Sequence, residues 1–85
     1  MKGAIRVRGV LRGMGCEADC GLQMWKESST TGRVYGRCRI VDDPPTLPDG
    51  PYTLFFAGHS VATRKFDGAW MLTFLPAGIS LEEAA

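Results

Sequence analysis

Cys16, Cys20, Cys38 and His59 are the side chains of this sequence that could hold a metal or run thiol chemistry. Tetrahedral zinc takes four such nitrogen and sulfur donors. Their spacing does not suit it. A zinc knuckle draws Cys-x2-Cys from a tight turn, whereas three residues separate Cys16 from Cys20 and no second close pair exists. Cys20 and Cys38 fall in phase with inward-facing neighbours, which reads more simply as small buried apolar side chains. A redox pair of Cys16 and Cys20, bent by Gly15 and Gly21, is the competing thiol reading, although the Cys-x-x-Cys spacing of thioredoxin-like sites is absent. Three cysteines is an odd count, which fits a reducing compartment better than a disulfide scaffold.

His59 is the one histidine, the side-chain type best suited to act as a general base at neutral pH. Its neighbour Ser60 cannot form a dyad with it on a strand, because adjacent residues point to opposite faces. Cys16 or Cys20 with His59 and Asp67 can be drawn as nucleophile, base and orienter, but no spacing selects that set. Gly13-Met14-Gly15 lacks the lysine and the following helix of a phosphate loop. Neither catalysis, a cofactor nor a metal is therefore expected, and the Cys/His set stands as a second alternative.

The arginines say more. Six of the ten basic residues, Arg6, Arg8, Arg12, Arg33, Arg37 and Arg39, occupy expected outward positions of the first and third strands. Of nine acidic residues, eight are expected in loops, turns or the tail, and Glu27 at a strand end. Tyr35 lies among the arginines and Trp25 on the strand between. The expected site is thus Arg6, Arg8, Trp25, Arg33, Tyr35, Arg37 and Arg39, an outer face that suits an acidic protein partner or a second copy. Single-stranded nucleic acid, with phosphates on arginine and bases on rings, is the alternative. The net charge of only +1 argues against a general attraction to nucleic acid or anionic lipid. Solvation of a small sheet by its outer charges is the plain structural explanation of the same residues. Pro45-Thr46-Leu47-Pro48 is a formal P-x-x-P without a flanking arginine and reads as loop.

The elements that carry these residues follow from period-two patterning. A strand is expected over 4–12, with Ile5, Val7 and Leu11 inward. A glycine-rich loop over 13–19 should follow, then a strand over 20–27. The third, over 33–41, turns Val34, Cys38 and Ile40 inward, and Gly36 there suggests a bulge or a close approach. Residues 42–51 hold four prolines and are expected outside the sheet. Tyr52, Leu54 and Phe56 begin the second half on a central strand covered on both sides. A turn near Gly58-His59 leads to 61–66. Asp67-Gly68 is a type I′ hairpin signal, and the last strand, 69–75, sets Trp70, Leu72 and Phe74 on one face. Ser80-Leu81-Glu82-Glu83 fits a capping box, enough for one C-terminal helical turn.

Residues 1–85 therefore read as one all-β domain, with 76–85 as a tail that frays. The architecture expected is a small antiparallel barrel or strongly curved sheet of about six strands, SH3-like or OB-like in size. With no apolar run of about 20 residues and no apolar leader, the chain is expected in the cytoplasm. Its expected role is a non-enzymatic interaction module working through the outer face of strands one to three, by protein binding or homodimerisation.

Overall fold

The computed structural model describes residues 3–76 and 79, and all of its regular structure is β. The strands are β1 (Ile5–Gly13), β2 (Cys16–Ser28), β3 (Val34–Val41), β4 (Gly50–Phe56), β5 (His59–Phe66), β6 (Ala69–Trp70) and β7 (Thr73–Phe74). They form one antiparallel sheet in the order β6-β5-β4-β1-β2-β3-β7, curled into a half-barrel. The edge strands β6 and β7 are consecutive pieces of one segment, so chain connectivity itself brings the two edges of the sheet together. The small curled β scaffold expected from the sequence is thus present, with one more strand than expected. The capping box at 80–83 lies outside the described residues, among which no helix is long and apolar enough to cross a membrane.

Alternation decides which side chains enter the core. Leu11, Cys20, Leu22, Met24, Cys38 and Leu54 are fully buried, with Tyr52, Phe56, Ile40, Leu47 and Leu75 around them. Ile5 and Val7 pack against this cluster, as their phase with Leu11 requires. The arginines of β1 and β3 take the other face.

Four local expectations need correction. Residues 13–19 are not a loop: Met14 and Gly15, at φ 52° and 73°, make a two-residue turn, and β2 begins at Cys16. Glu17 and Asp19 therefore stand on a strand. A type I′ turn needs positive φ at both centres, and methionine in the first position gives little sequence warning of it. Gly50 and Pro51 open β4, although the proline was expected outside the sheet. β1 pairs with β4 only from Thr53 to Phe55, so the donor that Pro51 lacks would have met no partner there. Only one face of β4 is fully buried: Thr53 and Phe55 are half-buried, with no second layer over them among the described residues. The turn before β5 is Ala57-Gly58, one residue earlier than expected, and Asp67-Gly68 turns as its signal implies, at φ 52° and 79°.

The last segment departs most. Trp70, Thr73 and Leu75 face inward, whereas Met71, Leu72 and Phe74 are exposed. The alternation slips by one residue where the chain leaves β5 for β3. Met71 still donates its N–H to the Arg64 carbonyl at 3.1 Å, and Leu75 already donates to the Gly36 carbonyl at 2.9 Å. Leu75 packs on Gly36 so closely that a Cβ there would meet its side chain at 2.8 Å, which is the close approach the glycine signalled.

The proline-bearing loop is tied to the sheet by polar bonds. Tyr52 donates to the Pro48 carbonyl (2.6 Å), Trp70 Nε1 to Asp43 (2.8 Å), and Asp49 accepts from the backbone of Asp67 and Gly68. Buried Lys65 donates to the Leu47 carbonyl at 2.8 Å and lies 5.7 Å from the Trp70 ring centroid. A backbone oxygen and an aromatic face together compensate part of the desolvation of that ammonium.

Candidate functional site

Register places the expected site. In β2–β3, Gln23 opposes Arg39, Trp25 opposes Arg37, and Glu27 opposes Tyr35. Arg6 lies across Gln23 from Arg39, and Phe74 of β7 lies across Arg37 from Trp25. Arg6, Arg8, Trp25, Tyr35, Arg37 and Arg39 therefore do share the outer face. Arg33 does not: it precedes β3, in a turn where its N–H donates to Ser29 Oγ at 3.1 Å.

Glu27 organises the centre of the face. Its Oε1 accepts from Trp25 Nε1 at 2.7 Å, and its Oε2 accepts from the Tyr35 hydroxyl at 2.9 Å. Arg37 approaches the same carboxylate at 3.7 Å. The hydrogen bonds from Trp25 and Tyr35, and then the arginine charge, hold its carboxyl below the ordinary range. The Tyr35 phenol is pushed up, first by its bond to Glu27. Arg37 reaches over Phe74, its guanidinium carbon 4.4 Å from the ring centroid, and the Tyr35 ring lies 5.5 Å from that ring. The Nε of Arg37 is buried without a hydrogen-bond partner among the described residues, a loss that stacking on Phe74 partly offsets.

Trp25 was expected as an exposed anchor and is only 2% exposed. Arg39 leans over it at 5.7 Å and Glu27 takes its N–H, so it forms the floor of the face and not its contact surface. The exposed aromatic of this face is Phe74, at 61%. It was expected in phase with Trp70, and the slip at Met71-Leu72 moves it to the outer face. Glu27 was also missed, although Trp25-x-Glu27 puts both on one face of a strand.

The charges divide into paired and unpaired. Asp42 reaches back to Arg6 at 3.1 Å over Gly21 of β2, where a Cβ would meet its Oδ2 at 3.0 Å. Glu17 pairs with Arg12 at 2.6 Å. These pairs are exposed and contribute little stability, but they do neutralise charge. Arg8, Arg33, Arg39 and Arg64 have no carboxylate within 4.0 Å among the described residues.

The thiol and metal candidates are not brought together. Among the described residues no group of three or more His, Cys, Asp or Glu side chains could hold a metal ion. Cys16 and Cys20 lie four residues apart on one face of β2, about 13 Å at roughly 3.3 Å per residue, so β2 holds them too far apart for a disulfide. Burial pushes the Cys20 and Cys38 thiols up to about 11, with Asp43 adding to the effect at Cys20. At neutral pH, Ellman's reagent is therefore expected to modify one thiol per native chain, Cys16, and the other two only on unfolding. Three equal rates would show that the interior is open. The cleft beside His59 is lined by Phe55, Phe56, Ala57, Gly58 and Ser60, so neither a cysteine nor Asp67 shares it with that histidine.

Comparison with protein-family models, with curated proteins and with solved structures gives no significant match, so what this chain does has to be read from its own residues.

Proposed function

We propose that this protein is a non-enzymatic binding module that recognises an acidic protein through the outer face of β2, β3 and β7. The observation that carries the proposal is Phe74. It is exposed, yet stacked on Arg37 and set against Tyr35, both of which Glu27 holds in place. An ordered, exposed aromatic beside an arginine is the pairing that dominates protein interfaces, and one already held rigid loses little entropy on binding. Arg39, unpaired among the described residues, and Arg33 at the hairpin end supply steering charge. Across a two-fold axis these same charges would face their own copies, so a different, acidic partner fits better than a homodimer through this face. Burial of Trp25 removes one stacking platform that single-stranded nucleic acid would need, and the acids on Arg6, Arg12 and Arg37 remove phosphate sites. Two buried thiols without disulfides suit a reducing, cytoplasmic setting.

Selection of displayed random peptides on the immobilised protein tests the proposal. Enriched peptides are expected to be acidic and to bind Phe74→Ala about 30-fold more weakly, the size of one interface hot spot. Failure to enrich any sequence overturns the proposal. So does tight binding of a labelled oligothymidine whose affinity falls with salt at a log–log slope of about −0.7 per phosphate contact, as for single strands.

A further inference from the structure

Among the described residues, β5 has an open edge. On one side it pairs with β4 along its whole length, but on the other β6 covers only Lys65 and Phe66. The Arg64 carbonyl points to that second side, where Met71 meets it. By the two-residue period of an antiparallel ladder, the N–H and C=O groups of Ala62 and Ser60 point the same way, and no strand among the described residues pairs with them. β7 comes near through one contact, Thr63 Oγ1 to Thr73 Oγ1 at 3.2 Å, and then turns away to β3.

The wedge left between β5 and β7 is a shallow groove of about 300 Å³, lined by Ala62, Arg64, Met71, Leu72, Phe74 and the two threonines. Met71, Leu72 and Phe74 are exposed there. Natural sheets usually blunt such an edge with a bulge, a proline or a covering loop. Here Ser60 and Ala62 are small, uncharged and exposed. An unpaired main-chain edge beside an apolar groove is what strand addition requires: backbone bonds supply affinity and alternate side chains supply selectivity. Arg64 lines the groove without a carboxylate near it among the described residues, and Arg37 stacks on Phe74 at its rim, so the favoured charge is negative.

We propose, resting on the protein-binding role argued for Phe74, that the partner contributes an extended acidic segment, which adds as a strand to the open edge of β5 at residues 60–62. One of its apolar side chains seats against Met71, Leu72 and Phe74, and a carboxylate meets Arg64.

Fluorescein-labelled octapeptides that alternate valine with glutamate, lysine or serine test this on the full chain by anisotropy. The glutamate peptide is expected to bind at least about 10-fold more tightly than the lysine peptide, and Arg64→Glu to reverse that order. Ala62→Pro removes an N–H that faces away from β4, so the fold should keep its ladder while the glutamate peptide binds at least about 10-fold more weakly. Should that variant fail to melt cooperatively, N-methylation of alternate peptide amides replaces it: one alternate set must abolish binding and the other must not. Equal binding of all three peptides, no binding of any at about 1 mM, or tolerance of every methylation overturns the strand. A dimer by light scattering that Ala62→Pro converts to monomer assigns the edge to a second copy and overturns it too. Displayed peptides that need Phe74 but bind Ala62→Pro unchanged would overturn the strand alone and leave the binding face standing.

Discussion

Leu54→Ala is expected to destabilise the domain by about 3–5 kcal/mol and to lower its melting temperature by roughly 15–30 °C. Leu54 is 0% exposed, on the strand that pairs with Leu11 of β1 and with Val61 of β5. Truncation removes buried apolar surface and leaves a cavity that three laddered strands cannot collapse into. A chain of 85 residues has a total stability of only about 4–13 kcal/mol, so the loss leaves a marginal fold. Phe66→Ala is the control, because that ring is 69% exposed and its loss should cost within about 0.5 kcal/mol. Urea unfolding of both variants measures the contrast. A Leu54→Ala effect below about 1 kcal/mol would show that β4 does not run through the core.

Gly13→Ala is the second large effect, about 3 kcal/mol, and it arises from space alone. A Cβ on Gly13 would stand 2.5 Å from the Pro51 carbonyl oxygen and 2.9 Å from the Tyr52 Cα. Both are backbone atoms and cannot rotate away. β1 and β4 must therefore separate at this end. Their ladder is only three residue pairs, Val10 with Phe55, Leu11 with Leu54 and Arg12 with Thr53, and among the described residues no other ladder joins β4, β5 and β6 to β1, β2, β3 and β7. Gly36→Ala should be milder. The obstacle there is the Leu75 side chain at 2.8–3.2 Å, which can shift. Denaturant midpoints with unchanged slopes measure both changes. A Gly13→Ala variant as stable as the parent would place β1 elsewhere.

Phe74→Ala and Arg64→Glu act differently. Arg64 is exposed, so its change should alter recognition and leave the melt nearly unaltered. Phe74→Ala also removes the contacts with Arg37 and Tyr35 and should cost about 1 kcal/mol, so its binding assays are read at a temperature well below its measured melt.

The amino-acid sequence by itself determined which side of each strand faces inward over most of the chain. Ile5, Val7 and Leu11 alternate with Arg6, Arg8 and Arg12, and a side chain on a strand has only two directions to choose from. It also determined the Asp67-Gly68 turn, because few residue pairs take positive φ twice without strain. Only the tertiary structure decided who faces whom. Period two is silent on register, so nothing in the chain said that Glu27 would stand opposite Tyr35 or Trp25 opposite Arg37. It is silent on coverage too, which is why an outward tryptophan proved buried beneath Arg39. The slip at Met71-Leu72, which moves Phe74 beside Arg37 and leaves β5 half unpaired among the described residues, arises because one short segment must satisfy two strands at once. That demand comes from curling the whole sheet, and no local window of sequence contains it.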